Sequence, residues 1–161
     1  MDLTYHDPAE RGCLRMFYRN WRPTRLGKFV SRALAWMSGK GLTPPILLAL
    51  QVKGRRSGQL RDTVLVLTEH DGQRYLVAML GDGSDWVRNV RAAGGKALVK
   101  RGQSRPVQLT EIPAGERAPI LKAYCQVATS GREHFPVRQD APLSDFGAVA
   151  ERYPVFRIDP A

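Results

Sequence analysis

Ile46-Leu47-Leu48-Ala49-Leu50-Gln51-Val52, Lys53-Gly54-Arg55-Arg56-Ser57-Gly58 and Arg61-Asp62-Thr63-Val64-Leu65-Val66-Leu67-Thr68 decide the fold of this chain. The first segment is an apolar run that follows Pro44-Pro45, and it reads as a buried strand. The second holds two glycines and reads as a tight turn. The third, with Val64 to Leu67 as its core, is the antiparallel return. His70-Asp71-Gly72-Gln73 then makes another hairpin turn, and Tyr75 to Leu80 supplies a third strand.

Downstream, Gly81-Asp82-Gly83-Ser84 is a loop. A helix begins near Asp85, capped by Ser84 or Asp85, and ends at Gly94-Gly95. Lys96 to Arg101, the Gly102-Gln103 turn and Ser104 to Ile112 form another hairpin. Pro113-Ala114-Gly115 leads into a helix carrying Ile120, Leu121, Tyr124, Val127 and Ala128, with Pro119 tolerated in its first turn. Ser130 to Ala141 is irregular, Asp145 to Tyr153 a helix, and Val155 to Ile158 a closing strand. Short hairpins imply antiparallel pairing. Six such strands with apolar interiors predict a closed or partly closed barrel, mainly β with peripheral helices.

Upstream, Leu14, Phe17, Tyr18 and Trp21 fall on one helical face, and Arg22-Pro23-Thr24 ends it. Leu26, Phe29, Val30, Ala33, Leu34 and Met37 trace a second stripe, with Arg25, Lys28 and Arg32 opposite. These N-terminal amphipathic helices occupy 10–41, ahead of a barrel over 44–161, and residues 1–161 read as a single domain. A basic amphipathic helix can lie on an anionic membrane or pack its stripe on the body of the protein. The sequence leaves both open.

A chain of 161 residues can bury a core without disulfides or a structural metal. With 43% hydrophobic and 25% charged residues, wholesale disorder is excluded. No stretch approaches the ~20 apolar residues of a membrane helix. The start, Met1 to Pro8, lacks the layout of a signal peptide. Cys13 and Cys125 match no metal or redox spacing and read as reduced thiols in a cytosolic protein with no metal site. Charge is the unusual quantity: 25 Lys and Arg against 15 Asp and Glu give +10, which favours an anionic partner.

His6, His70 and His134 are scattered, and no nucleophile elbow, zinc-protease motif or phosphate-binding lysine loop is present. A reaction on this chain would therefore be carried by a bound cofactor. Gly81 to Trp86 follows a strand and opens a helix, as a dinucleotide loop does. It lacks the third glycine, and Asp82 and Asp85 stand where a pyrophosphate would sit. It is not a Rossmann loop.

The turn at Gly54 to Arg61 is more informative. Its glycines free backbone amides to face an anion, Arg55, Arg56 and Arg61 add guanidinium forks, and Ser57 adds a hydroxyl. Such a turn holds phosphate oxygens, or it is a solvated basic tip that touches a nucleic-acid backbone. Trp86, Asn89, Val90 and Ala93 share one helical face. A carboxamide beside an indole suits a flat heterocycle with amide-like edges; packing into the core is the other reading.

The Gly54-Arg55-Arg56-Ser57-Gly58-Gln59-Leu60-Arg61 turn, then Tyr75-Leu76-Val77-Ala78, then Trp86-Val87-Arg88-Asn89-Val90 resembles the deazaflavin-dependent nitroreductase family. The likeness covers roughly 44–112 in motif and 26–159 in layout. It implies a split β-barrel, of the kind that also binds FMN, and a coenzyme F420 cofactor, an 8-hydroxy-5-deazaflavin. That coenzyme carries a phosphate and a polyglutamate tail, which gives the basicity a reason other than nucleic acid. The resemblance implies that Arg55, Arg56, Ser57 and Arg61 hold the phosphate and the start of the tail. It implies that Met79, Leu80 and Gly81 line the ring, with Trp86 and Asn89 closing on it. Tyr124 stands where the family places aromatic residues over the substrate, as proton donor or substrate contact.

The expected activity is hydride transfer from reduced coenzyme F420 to an electron-poor, fairly apolar small molecule: a quinone, an activated alkene or a nitro compound. FMN is the alternative cofactor, and a basic nucleic-acid-binding barrel the alternative class. Split barrels often pair, so a homodimer is one expectation. Peripheral membrane contact through the N-terminal helices of a cytoplasmic protein is another.

Overall fold

The computed structural model describes residues 18–19, 22–23, 45–128 and 135–161. Its barrel strands are β3 (Leu47–Lys53), β4 (Leu60–His70), β5 (Gln73–Val77), β6 (Lys96–Arg101), β7 (Gln103–Glu111) and β8 (Val155–Pro160). Two short strands precede them, β1 (Tyr18–Arg19) and β2 (Arg22–Pro23). The helices are α1 (Asp85–Ala92), α2 (Ala118–Val127) and α3 (Leu143–Val149). The barrel order is β3-β4-β5-β8-β7-β6, all antiparallel, and it closes where Ala49, Leu50 and Gln51 of β3 pair with Lys100, Val99 and Leu98 of β6. The barrel expected from the hairpins is the barrel found.

Alternation along the strands divides the apolar residues between two cores. Leu76 of β5 packs inside with Leu48, Leu50, Val52, Leu109 and Phe156. The interior is capped by Trp86, Val87 and Val90 of α1. Its neighbours Tyr75 and Val77 face outward, where Leu121, Tyr124 and Cys125 of α2 and Phe146 and Val149 of α3 cover them. Each fully buried large apolar side chain contributes about 1.5–3 kcal/mol, so α1 and α2 are held by packing rather than by intrinsic helix strength. The β4–β5 turn needs Gly72: Asp71 and Gly72 both have positive φ (48° and 71°), the conformation of a tight two-residue hairpin.

Four expectations change. The helix expected over Leu14–Trp21 is not formed at its end, because Tyr18 and Arg19 pair antiparallel with Pro23 and Arg22. Pro23, whose missing N–H suits a short edge strand, closes that pairing, and the rest of the expected helix lies outside the described residues. The expected helix over Leu26–Met37 lies outside the described residues, as does Cys13. The third strand ends at Val77 rather than Leu80, since the Gly81 amide turns back onto the Ala78 carbonyl at 2.8 Å. Ser84 sits at the N-cap of α1 without capping it; its hydroxyl donates to the Gly81 carbonyl instead (2.8 Å). Finally, the last helix spans Leu143–Val149 and tightens into a 3-10 turn over Ala150–Arg152. Pro154 disfavours helical geometry at Tyr153 and so stops it.

Candidate functional site

The β3–β4 turn is closed by the Gly54 amide on the Gln59 carbonyl and the Gly58 amide on the Gly54 carbonyl, both at 2.8 Å. Gly54 has no room for a side chain: a Cβ there would lie 3.0 Å from Ser57 Oγ and 3.1 Å from the Gln59 carbonyl. The turn does not hang free. The backbone amide of Arg55 donates to Asn89 Oδ1 at 3.2 Å, and its Nη1 donates to the same oxygen at 2.8 Å. Nη2 of Arg55 completes an ion pair with Asp85 at 3.0 Å. Asn89 is buried, so its carboxamide is a structural strut between turn and helix.

Arg55 is thus committed to α1. Lys53, Arg56, Ser57 and Arg61 are exposed around the turn. Arg61 reaches Ser57 Oγ only at 3.5 Å. Among the described residues no carboxylate forms an ion pair with Arg56 or Arg61, so their charge is available to a ligand.

The loop from β5 to α1 enters the same end of the molecule, because it delivers Asp85, which Arg55 grips. Met79, Leu80 and Gly81 are half-buried along it. The Ala78 amide donates to the Pro154 carbonyl at 2.9 Å. Gly81 has φ +78° and faces the Arg152 carbonyl, which a Cβ would approach to 3.0 Å. The Tyr124 hydroxyl donates to Met79 Sδ at 3.2 Å. The structure therefore brings Tyr124 to Met79, and Arg55 to Asn89 and Asp85. Trp86 is placed differently: it is buried in the barrel interior with its ring edge-on to Phe156, centroids 5.4 Å apart.

The family model for F420H(2)-dependent quinone reductase matches residues 26–141 of this chain. The chain belongs to that family. No curated protein matches it. Among solved structures, one described as a domain-swapped dimer is similar at 19% identity and a TM-score of 0.52, covering 83% of this chain and 96% of that one. A structure described as an F420-H2 dependent reductase (FDR-A) has 21% identity and a TM-score of 0.49, covering 71% and 95%. A putative 5-nitroimidazole antibiotic resistance protein from Bacteroides thetaiotaomicron has 7% identity and a TM-score of 0.49, covering 84% and 79%. As a member of the F420H(2)-dependent quinone reductase family the protein is an oxidoreductase, and coenzyme F420 is its cofactor.

The residues of this chain fit that coenzyme. A phosphate and a carboxylate tail need unneutralised cations, and Arg56 and Arg61 provide them on a tightly folded turn. A flat ring needs a half-buried, largely apolar wall, and the half-buried Met79, Leu80 and Gly81 would be the residues to line it. Among the described residues no group of three His, Cys, Asp or Glu side chains could hold a metal ion, and no helix is long and apolar enough to cross a membrane.

Sequence reading missed a second set of residues beside this loop. Asp82 accepts from Arg91 Nη1 at 2.6 Å. Arg91 forks onto Glu111, Nε to Oε2 at 2.8 Å and Nη2 to Oε1 at 2.7 Å. Arg117 Nη2 reaches the same Glu111 oxygen at 3.1 Å. Arg117 is buried and donates Nε to the Ile112 carbonyl (2.7 Å) and Nη1 to the Ala150 carbonyl (3.1 Å). The hydrogen bond from Arg91 holds the Glu111 carboxyl below the usual carboxylate range, while burial pushes the Arg117 guanidinium down. Nothing in the spacing of Asp82, Arg91, Glu111 and Arg117 announces this network; it forms where the loop, the first helix, the end of β7 and the start of α2 meet.

Proposed function

We propose that the protein passes a hydride from reduced coenzyme F420 to a quinone, bound as a flat, fairly apolar small molecule beside the Met79–Gly81 loop. The observation that carries the reading is the grip of Asp85 and Asn89 on Arg55. It ties the anion-binding turn to the same helix that receives the ring-lining loop. A coenzyme with an anionic tail at one end and a flat ring at the other spans such a pair of surfaces.

In this reading Arg56, Ser57 and Arg61 bind the phosphate and the start of the tail, and Arg55 and Asn89 hold the turn in shape. When bound, the reduced coenzyme supplies the hydride from its ring carbon. Met79, Leu80 and Gly81 orient the ring and exclude water from it, which is the main contribution a protein makes to a transfer between two flat molecules. Tyr124, itself buried, donates its hydroxyl to the Met79 sulfur behind the proposed ring wall, and in this reading its proton passes to the reduced acceptor. Trp86 contributes from the core, by fixing α1 on the barrel.

Titration of the purified protein with oxidised coenzyme F420, FMN and single-stranded DNA, read by tryptophan fluorescence, tests the cofactor. A response to the deazaflavin alone is expected, and tight DNA binding with silence toward both cofactors would overturn the reading. Oxidation of the reduced coenzyme, followed by its absorbance with a soluble quinone, an activated alkene and a nitro compound in turn, ranks the acceptors; the quinone is expected to be fastest. A twofold-paired assembly, by likeness to the solved domain-swapped dimer, is checked by sedimentation equilibrium.

A further inference from the structure

Two arms leave Arg117: one is hydrogen-bonded through to Asp82, and the other holds the turn that lies beside Gly81. One arm is the ion-pair chain through Glu111 and Arg91 to Asp82. The other runs through the Ala150 carbonyl, which Arg117 holds at 3.1 Å, into the 3-10 turn Ala150–Arg152. The Arg152 carbonyl of that turn is the group facing Gly81. The loop is thus tied at Asp82 by a chain that starts from a guanidinium seated in the protein interior, and the same guanidinium holds the turn packed beside Gly81. A buried guanidinium is costly unless its donors are satisfied, and Arg117 spends its donors on Glu111 and on the Ile112, Ala150 and Tyr153 carbonyls.

We propose that Arg117 is a positioning residue for the coenzyme, acting through Glu111 and Arg91 to fix Asp82 and so the loop that receives the ring. This rests on the assignment of Met79, Leu80 and Gly81 as the ring wall. Nothing in the chain needs to touch the ligand: the carboxylate of Asp82 is a tether point. The tether has a distinguishing sign. If Asp82 acted only as a charge, its removal would tighten binding of an anionic ligand, in proportion to that ligand's charge. If it is a tether, removal weakens the ring fragment and the full coenzyme alike.

The test uses the full chain carrying Asp82→Ala, Glu111→Gln or Met79→Ala, with three readouts: amide hydrogen exchange over 79–84 without ligand, thermal midpoint, and affinity for oxidised coenzyme and for its phosphate-free ring fragment. Asp82 is largely exposed, so Asp82→Ala is expected to leave the midpoint near that of the parent. It should speed exchange in the loop and weaken both ligands about three- to fivefold, the loss expected from one partly exposed ion pair. Glu111→Gln should produce the same loosening and also lower the midpoint, because it unpairs Arg117. In turnover the loss should fall on KM for the coenzyme more than on kcat. Tighter binding by Asp82→Ala, or unchanged exchange in both tether variants while Met79→Ala weakens the ring fragment, would overturn the tether. Silence of Met79→Ala as well would instead overturn the ring-wall assignment, and the positioning role would fall with it.

Discussion

One oxygen, Asn89 Oδ1, receives both the backbone amide and the guanidinium of Arg55, at 3.2 and 2.8 Å. A side chain six-hundredths exposed by area therefore shapes a turn whose other members face solvent. Asn89→Ala and Arg55→Ala should each weaken the full coenzyme, and the double variant should be little worse than either, because they remove one shared interaction. A double-mutant cycle on coenzyme affinity measures this, and additive losses would separate the two residues.

Arg56 and Arg61 differ from Arg55 in having their charge to spare. A charge-assisted hydrogen bond contributes on the order of 1.5–3 kcal/mol. Arg61→Ala should accordingly weaken the full coenzyme roughly 10- to 100-fold and leave a tail-less, phosphate-free ring almost untouched. Raised salt should narrow the gap. Equal affinity of variant and parent for both forms would reduce the turn to a solvated hairpin tip.

Trp86 packs on Phe156 inside the barrel, so Trp86→Ala should destabilise the fold by about 3–5 kcal/mol. Trp86→Phe retains most of the contact. If the indole matters only through α1, Trp86→Phe will bind the ring fragment as the parent does, measured by deazaflavin fluorescence at a temperature where both are folded.

Tyr124→Phe removes the proton held at Met79 Sδ and little volume. Loss of kcat toward the quinone with unchanged coenzyme affinity is the expected outcome of a proton-donor role, and a diminished solvent isotope effect should accompany it. Unaltered kcat would leave Tyr124 as part of the outer core.

Glu111 titrates below its ordinary 4.5 in the folded protein because Arg91 and Arg117 bind its carboxylate. Its folded value lies below its unfolded one, so its contribution is fully present above about pH 4.5 and is lost as pH falls through the folded value. Asp159, held down by Arg157 and Thr110, acts in the same direction. Thermal midpoints measured from neutrality into acid should fall more steeply in the parent than in Glu111→Gln, which has already lost that term.

The barrel was legible because hairpin signals are local: Gly54 with Gly58, and Asp71 with Gly72, fix their turns through neighbours in the chain. The tight arginine turn was legible for the same reason, but the amides of Gly54, Arg55 and Gly58, expected to face an anion, are taken up by Gln59, Asn89 and Gly54. The division of labour within the turn was not legible. That Arg55 would be drawn onto Asn89 depends on α1 crossing the barrel mouth 34 residues later, a placement set by packing of Trp86, Val87 and Val90. The end of β5 was misplaced because its apolar run continues through Ala78-Met79-Leu80, and apolar character does not register the backbone turn that the Gly81 amide makes onto the Ala78 carbonyl. Tyr124 could be seen as an aromatic on a helix; its sulfur partner could not.

Because β3 and β6 close the ring, every barrel strand has a hydrogen-bonded neighbour on each side. The closure is uneven: β4 pairs with β5 only through Leu67–His70, so over Leu60–Val66 its ladder among the described strands is with β3 alone, and sticky edge-to-edge association is shut out of part of the ring rather than all of it.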